Sequence, residues 1–574
     1  MYGEPYVLKG ELALVIAGEA GQGIQTIESA LAFLAKRSSF HVFATKEYMS
    51  RVRGGCNSTE LRISGSPVSA RVDRIDLLVA LSAEAVPHLG GRVGERTIIL
   101  GEKEVVGREG MVDMPFSSIA AELGSPIYSN SVAVGSVSGL LRLDRALCES
   151  GIRELFSAKG VEVADANARA FLRGYELGEA LARDVKVELG PPSDRAGDIM
   201  PTGAEALSLG AVAGGCDYVC AYPMSPGTTV LTTMASYSKR FDILVEQVED
   251  EIGVANMALG AWYAGARALV TTSGGGFALM GEAVSLSGMI ETPLVIHVAQ
   301  RPGPATGLPT RTEQGDLNLA IHAGHGDFLR VVLAPGDLAE GFELMRAAFE
   351  AADRFQSPVF VLSDQYYVDS YYTTPTFELP ERVLSNRTVP TSADYRRYAL
   401  GSPDGLSPRG LPGMGEGIVC VDSDEHDEGG YITEDASLRR AMVAKRLAKI
   451  EAARAAALPP RLYGGERGCK VLLLGWGSVK GPVLEALKVL GRDDIAYLHF
   501  PWVFPLPAGV ADYLARADIC VAVEGNATGQ FADLLQLETG RRIDRRILKS
   551  DGAQFGVEEL VDMISANANN GDAT

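Results

Sequence analysis

The residues best suited to chemistry fall in four stretches between Tyr222 and Asp316. The first, Tyr222-Pro223-Met-Ser225-Pro, closes a short apolar run with a turn that presents a hydroxyl. In the second, Glu246, Glu249, Asp250 and Glu251 gather ahead of a small-residue helix, Gly253 to Ala261. The helix macrodipole alone accounts for acids in that position, so the cluster by itself specifies no ligand. The third, Thr271-Thr-Ser-Gly-Gly275-Gly-Phe277, follows a strand and forms a glycine loop open to close approach by a planar ligand. The fourth runs from Gln300 to Asp316 and carries Arg301, Thr306, Thr310 and Arg311 on a segment stiffened by Pro302, Pro304 and Pro309. A guanidinium offers a bidentate fork, so this composition suits a carboxylate clamp, and it suits a surface loop equally well.

Other constellations are weaker. Gly18-x-x-Gly21-x-Gly23 follows the strand-like run Leu12 to Ala17 and opens a helical pattern, a setting in which backbone amides approach phosphate. Its spacing is not G-x-G-x-x-G, and Ala44, Thr45 and Lys46 stand where a ribose-binding acid belongs, so an NAD site is not expected. A packing turn explains the same residues. Arg51, Arg53, Gly54 and Gly55 form a basic glycine loop whose plain reading is a solvated turn. Cys216 and Cys220 are a lone C-x3-C among seven scattered cysteines, which fits reduced thiols and cannot ligate an iron–sulfur cluster. The acidic run Asp422 to Glu428 fits no EF-hand loop and reads as a solvated linker, while His322 and His325 beside the fourth stretch read as structural histidines.

Elements must hold these residues in place. A chain of 574 residues has room for roughly four units. Leu12 to Ala17, His41 to Ala44, Leu77 to Leu81 and Thr97 to Leu100 alternate with helical stretches and predict parallel α/β layering over 1–190, closed by a linker from Glu188 to Ala196. Tyr218 to Ala221, Ala268 to Thr272, Leu294 to Val298, Phe328 to Leu333 and Val359 to Leu362 predict a second α/β domain over 195–372. Residues 373–466 lose the periodicity and read as a connector with one charged helix, from about Asp435 to Ala457. Val471 to Gly475, Ile495 to Phe500 and Ile519 to Val523 predict a last α/β domain over 467–574.

With 46% hydrophobic and 22% charged residues the chain is globular, and its net charge of −20 opposes broad attraction to nucleic acid or anionic lipid. The apolar runs fall short of the ~20 residues of a membrane span. An N-terminus lacking basic and apolar signal regions predicts a cytoplasmic protein.

In chain order, Tyr222-Pro-Met-Ser-Pro, Glu249-Asp-Glu251, Thr272-Ser-Gly-Gly-Gly-Phe and Arg301-Pro-Gly-Pro-Ala-Thr-Gly-Leu-Pro-Thr-Arg311 closely resemble the α subunit of 2-oxoacid:ferredoxin oxidoreductases. Trp476-Gly-Ser, Pro505-Leu-Pro and Glu524-Gly-Asn-Ala-Thr-Gly-Gln530 resemble that family's transketolase C-terminal-like domain. Gly18 to Gly23 and Arg53-Gly-Gly resemble its γ domain, here fused ahead of α. The implied fold is multi-domain α/β: a γ-type domain, a doubly wound pyrimidine-type domain that binds thiamine diphosphate, and the transketolase C-terminal-like domain.

The resemblance implies that a glutamate, Glu251 with Glu249 as the fallback, hydrogen-bonds the cofactor's pyrimidine ring, and that Tyr222, Pro223, Gly275 and Phe277 contact it. Ser225 stands where the family carries threonine. By the same carry-over Arg301 and Thr310 hold the substrate carboxylate, Thr306 lines the pocket, and Arg311 is a candidate for a second carboxylate, while Gly21 and Arg53 are weak candidates for coenzyme A. The chain has no Gly-Asp-Gly, the family's Mg2+ and diphosphate anchor, so the resemblance assigns the diphosphate, Mg2+ and a 4Fe-4S cluster to a β subunit in an α2β2 heterotetramer. The implied reaction is reversible, coenzyme A-dependent oxidative decarboxylation of 2-oxoglutarate to succinyl-CoA with reduction of ferredoxin. Pyruvate or a branched-chain 2-oxoacid is the alternative substrate, and a non-catalytic scaffold the alternative role.

Overall fold

The computed structural model describes residues 6–49, 55–193, 195, 197–379 and 388–569. The chain divides into two compact units, one of Met1–Pro201 with Ser370–Thr376 and Gly556–Glu559, the other holding the remainder.

In the first unit the nearly fully buried strand Glu11–Glu19 lies at the centre of a seven-stranded sheet. It runs parallel to Leu77–Ala80, which continues through Ile98–Gly101 to Val112–Asp113. On its other side it is antiparallel to Cys56–Ser64, which is antiparallel in turn to His41–Glu47. The expectation of parallel layering is thus corrected on this half of the sheet. Cys56–Ser64 reads as polar in the sequence because it alternates Asn, Ser, Thr, Glu and Arg with its apolar residues, so local pattern carries no sign of its antiparallel pairing. The expected linker also begins inside structure, since Val185–Glu188 pairs with Tyr6–Lys9. Helices Ser129–Leu140 and Val161–Leu181 pack backbone to backbone. A Cβ on Gly178 would lie 1.9 Å from the Ser136 carbonyl oxygen, so glycine is required there.

The second unit is built on another seven-stranded sheet, in the order Leu244–Gln247, Tyr218–Ala221, Ala268–Thr272, Leu294–Gln300, Pro358–Asp364, Val331–Leu333, Trp502–Phe504. The first six strands are parallel. Their side chains are mostly apolar because helices cover both faces, and Leu294–Gln300 is buried throughout. Leu244–Gln247 pairs on one side of Tyr218–Ala221 and Ala268–Thr272 on the other, so the winding reverses between these last two strands. In open α/β sheets ligands bind outside the carboxyl ends of the strands at such a reversal. A five-stranded sheet, ordered Arg461–Tyr463, Ile495–Phe500, Cys469–Trp476, Ala517–Glu524, Arg545–Leu548, completes this unit. No described helix is long and apolar enough to cross a membrane.

The acidic run expected to be a solvated linker is not one. Glu425 accepts from Arg446 at 2.8 and 3.1 Å and also pairs with Arg439, and His426 is fully buried against Tyr398 with ring centroids 4.0 Å apart. Nor is the charged helix Ala436–Ala456 solvated all round, because Lys445, Arg446 and Lys449 are buried on its inner face. Their partners lie far away in sequence, where local periodicity carries no sign of them.

Candidate active site

The four chemistry-bearing stretches lie at the carboxyl ends of four neighbouring parallel strands. Tyr222 to Pro226 follows Tyr218–Ala221, the glycine turn follows Ala268–Thr272, and the Arg301 loop follows Leu294–Gln300. The acids separate into different roles. Glu246 sits on a strand and accepts from the Tyr218 hydroxyl at 2.9 Å, Glu249 is exposed, and Asp250 caps the helix Glu251–Ala264 by accepting from the Gly253 amide at 2.8 Å. Only Glu251 turns inward, 4% exposed, and its Oε1 is buried with no hydrogen-bond partner among the described residues. A Cβ at Gly276 would stand 2.8 Å from that oxygen and 2.3 Å from Thr272 Oγ1, so the glycine turn leaves a cradle that any side chain would fill. Gly275 is exposed at its crest. Ser273 Oγ and Asp316 Oδ2 are likewise buried and unpartnered at the same turn. Burying unpaired polar atoms costs about 1–3 kcal/mol each, so a cluster of them marks a place built for a polar ligand.

Arg301 joins two of the stretches, its Nη1 donating to the Ser225 carbonyl oxygen at 2.7 Å. Thr306 is exposed, while Thr310 and Arg311 are half-buried. Arg311 packs along Gly552, where a Cβ would come within 3.1 Å of its own. Tyr222 and Ser225 are exposed and Pro223 is half-buried. Phe277 is 2% exposed and packs edge-on against Phe360 at 4.9 Å, so its ring belongs to the core. Gly21 lies in the first unit at a positive φ of 93°, beside a cavity of about 370 Å³ that Gln22, Ser117 and Asn130 also line. Arg53 lies outside the described residues.

Buried polar side chains brace this site. His297 is fully buried, bonded to Thr271 Oγ1 at 2.9 Å and Ser363 Oγ at 2.7 Å, and burial pushes it down to about 3, so the ring is neutral. Thr271 Oγ1 also donates to the Gly227 carbonyl oxygen at 3.1 Å, tying the Tyr222 turn to the sheet. Gln314 donates from Nε2 to the Trp476 carbonyl oxygen and accepts at Oε1 from the Gly525 amide, both at 2.8 Å. Gln530 donates to the Gly315 carbonyl oxygen at 2.8 Å. Glu524 accepts from the Phe531 and Ala532 amides at 2.9 Å and from Asn526 at 2.9 Å. The Glu524-to-Gln530 motif is therefore a brace that fixes the Arg301 loop.

Comparison with known proteins sets this geometry in a family. Residues 209–445 match the family described as pyruvate flavodoxin/ferredoxin oxidoreductase, thiamine diP-binding, and residues 13–177 match pyruvate ferredoxin/flavodoxin oxidoreductase. A 2-oxoacid:ferredoxin oxidoreductase subunit alpha from Sulfolobus sp. is 30% identical over 617 residues, covering 96% of each chain. The chain belongs to the 2-oxoacid:ferredoxin oxidoreductase α-subunit family. The 2-oxoglutarate oxidoreductase subunit KorA of Mycobacterium tuberculosis is 29% identical, covering 96% of this chain and 90% of its own. The 2-oxoglutarate:ferredoxin oxidoreductase from Magnetococcus marinus, solved with 2-oxoglutarate, coenzyme A and succinyl-CoA bound, superposes with a TM-score of 0.91 at 29% identity, over 98% of this chain and 100% of its own. As a 2-oxoacid:ferredoxin oxidoreductase α subunit, this chain has a multi-domain α/β architecture with a thiamine diphosphate-binding domain.

Proposed function

We propose that this chain is the α subunit of a 2-oxoglutarate:ferredoxin oxidoreductase, holding the aminopyrimidine end of thiamine diphosphate and the substrate carboxylate. The observation that carries the reading is the unpartnered, buried Glu251 Oε1 behind the glycine cradle. When bound, thiamine diphosphate supplies a nucleophilic carbon for the 2-oxo group and an electron sink after loss of carbon dioxide. Glu251, itself buried, holds the proton shared with the pyrimidine ring nitrogen. Tyr222, Pro223 and Gly275 border the ring, and Phe277 supports the turn from behind. Arg301 and Thr310 orient the substrate carboxylate, Ser225 and Thr306 line the pocket, and Arg311 faces the second carboxylate. The diphosphate, Mg2+ and a 4Fe-4S cluster reside on a β subunit in an α2β2 assembly that reduces ferredoxin. Coenzyme A is the acyl acceptor, and the cavity beside Gly21 takes part of it. The reaction is reversible given a strong reductant.

The similarity to enzymes named for 2-oxoglutarate supports that substrate over pyruvate. Initial rates of the assembled enzyme are expected to be highest with 2-oxoglutarate; rates dominated by pyruvate or 2-oxoisovalerate would overturn the choice. Arg301→Gln is expected to raise KM for the 2-oxoacid roughly 10- to 100-fold with a smaller change in kcat, since hydrogen bonds to charged groups contribute about 1.5–3 kcal/mol. Steady-state kinetics at saturating coenzyme A check this, and an unchanged KM would remove Arg301 from the clamp.

A further inference from the structure

We infer that Asp316 is a positioning residue for the carboxylate clamp: it is the charge Arg301 faces before substrate arrives, and it takes up a proton from solvent when a substrate carboxylate enters beside it. The inference rests on the proposed role of Arg301. The placement of Asp316 is tightly determined. Its amide donates to Gln300 Oε1 at 3.0 Å, and Gln300, 1% exposed, donates to the Ser363 carbonyl oxygen at 3.0 Å. A Cβ on Gly274 would lie 2.4 Å from both Asp316 carboxylate oxygens, so only glycine leaves room for them. Among the described residues Asp316 Oδ2 is buried with no hydrogen-bond partner, and Arg301 Nη1 is engaged with Ser225, so the Asp316–Arg301 attraction acts through space.

The neighbouring charges set the direction of the effect. Burial and the nearby Glu313 push Asp316 up to about 6 while Arg301 opposes them. Arg301 is itself lowered by burial, with Asp316 opposing. Across the turn, Glu251 borders Gly276, and the segment Gly274–Leu279 brings no titratable side chain. On the adjoining strand, Asp364 is occupied by Ser478 and the Tyr367 amide. A second carboxylate arriving beside Asp316 disfavours its ionised form, because two like charges in a desolvated site do not both stay ionised. Proton uptake therefore accompanies binding above the free-state value, and affinity falls as pH rises.

The probe is 2-hydroxyglutarate, an unreactive competitor, used with the assembled holoenzyme. Its inhibition constant is expected to rise toward tenfold per pH unit between pH 7 and 8.5. Asp316→Asn should flatten that slope and bind the probe more tightly at pH 8.5, and Asp316→Glu should restore the slope. Calorimetry of the wild-type enzyme in phosphate and in Tris needs no variant, and the heats should differ by the buffer ionisation enthalpy of an absorbed proton. Parallel pH profiles for wild type and Asp316→Asn, or buffer-independent heats, would overturn the inference. If Arg301→Gln weakens the probe while those profiles stay parallel, the clamp stands and Asp316 is not its counter-charge. If Arg301→Gln leaves the probe unaffected, the clamp reading itself fails.

Discussion

Replacing Glu251 by alanine in the assembled enzyme is expected to lower the chemical step by about two to four orders of magnitude with assembly unchanged, the range of a positioned proton-transfer group. The basis is geometric. Glu251 is the one acid of its cluster that is buried, and its free oxygen faces the cradle that Gly276 keeps open. Glu251→Gln keeps the volume but not the charge and should fall in the same range. Glu249 is exposed, so Glu249→Gln should leave turnover within about twofold, the size expected of a surface change. Single-turnover rates with gel filtration check all three. A Glu251→Ala complex with full turnover would favour the scaffold role.

The second large effect concerns stability. Glu291 is fully buried at a φ of 47°, with Lys445 Nζ at 2.6 and 2.7 Å and Lys449 Nζ at 2.6 Å. Burial alone would raise its carboxyl, but Lys449, Lys445 and Arg397 hold it well below the usual carboxylate range. Glu291→Ala strands two buried ammonium groups and is expected to cost about 3–5 kcal/mol, measured by urea unfolding at pH 7. A folded value below the unfolded one means the contribution is present above about pH 4.3 and is lost as pH falls toward the folded value. The gap between variant and wild type should therefore narrow in acid. An equal midpoint at pH 7 would show that the lysines find other partners.

Much of this fold is written in local pattern. The apolar runs at Tyr218–Ala221, Ala268–Thr272 and Leu294–Gln300 announce buried parallel strands, and the motifs that follow them in sequence are those the strand ends carry into the site. What local pattern misses is long-range. Leu244–Gln247 is an exposed edge strand of mixed polarity, so Glu246 reads as one more acid of the cluster. Gln314 meets Trp476 and Gly525, 162 and 211 residues away, and no periodicity signals such a contact. Glu291 and Lys445 are 154 residues apart, which makes a buried ion cluster look like scattered surface charge. Glutamine and glutamate at the ends of buried strands and loops were the available signal, because such groups must find partners.

The account centres on a cofactor site shared between chains, with this one supplying the ring end through Glu251. Equilibrium dialysis of thiamine diphosphate with Mg2+ tests it most directly, using this chain alone, the assembled complex, and the complex carrying Glu251→Ala. The account predicts retention by the wild-type complex, none by the isolated chain, and weakened retention by the variant. Equal retention by the isolated chain, or by the variant complex, would contradict it.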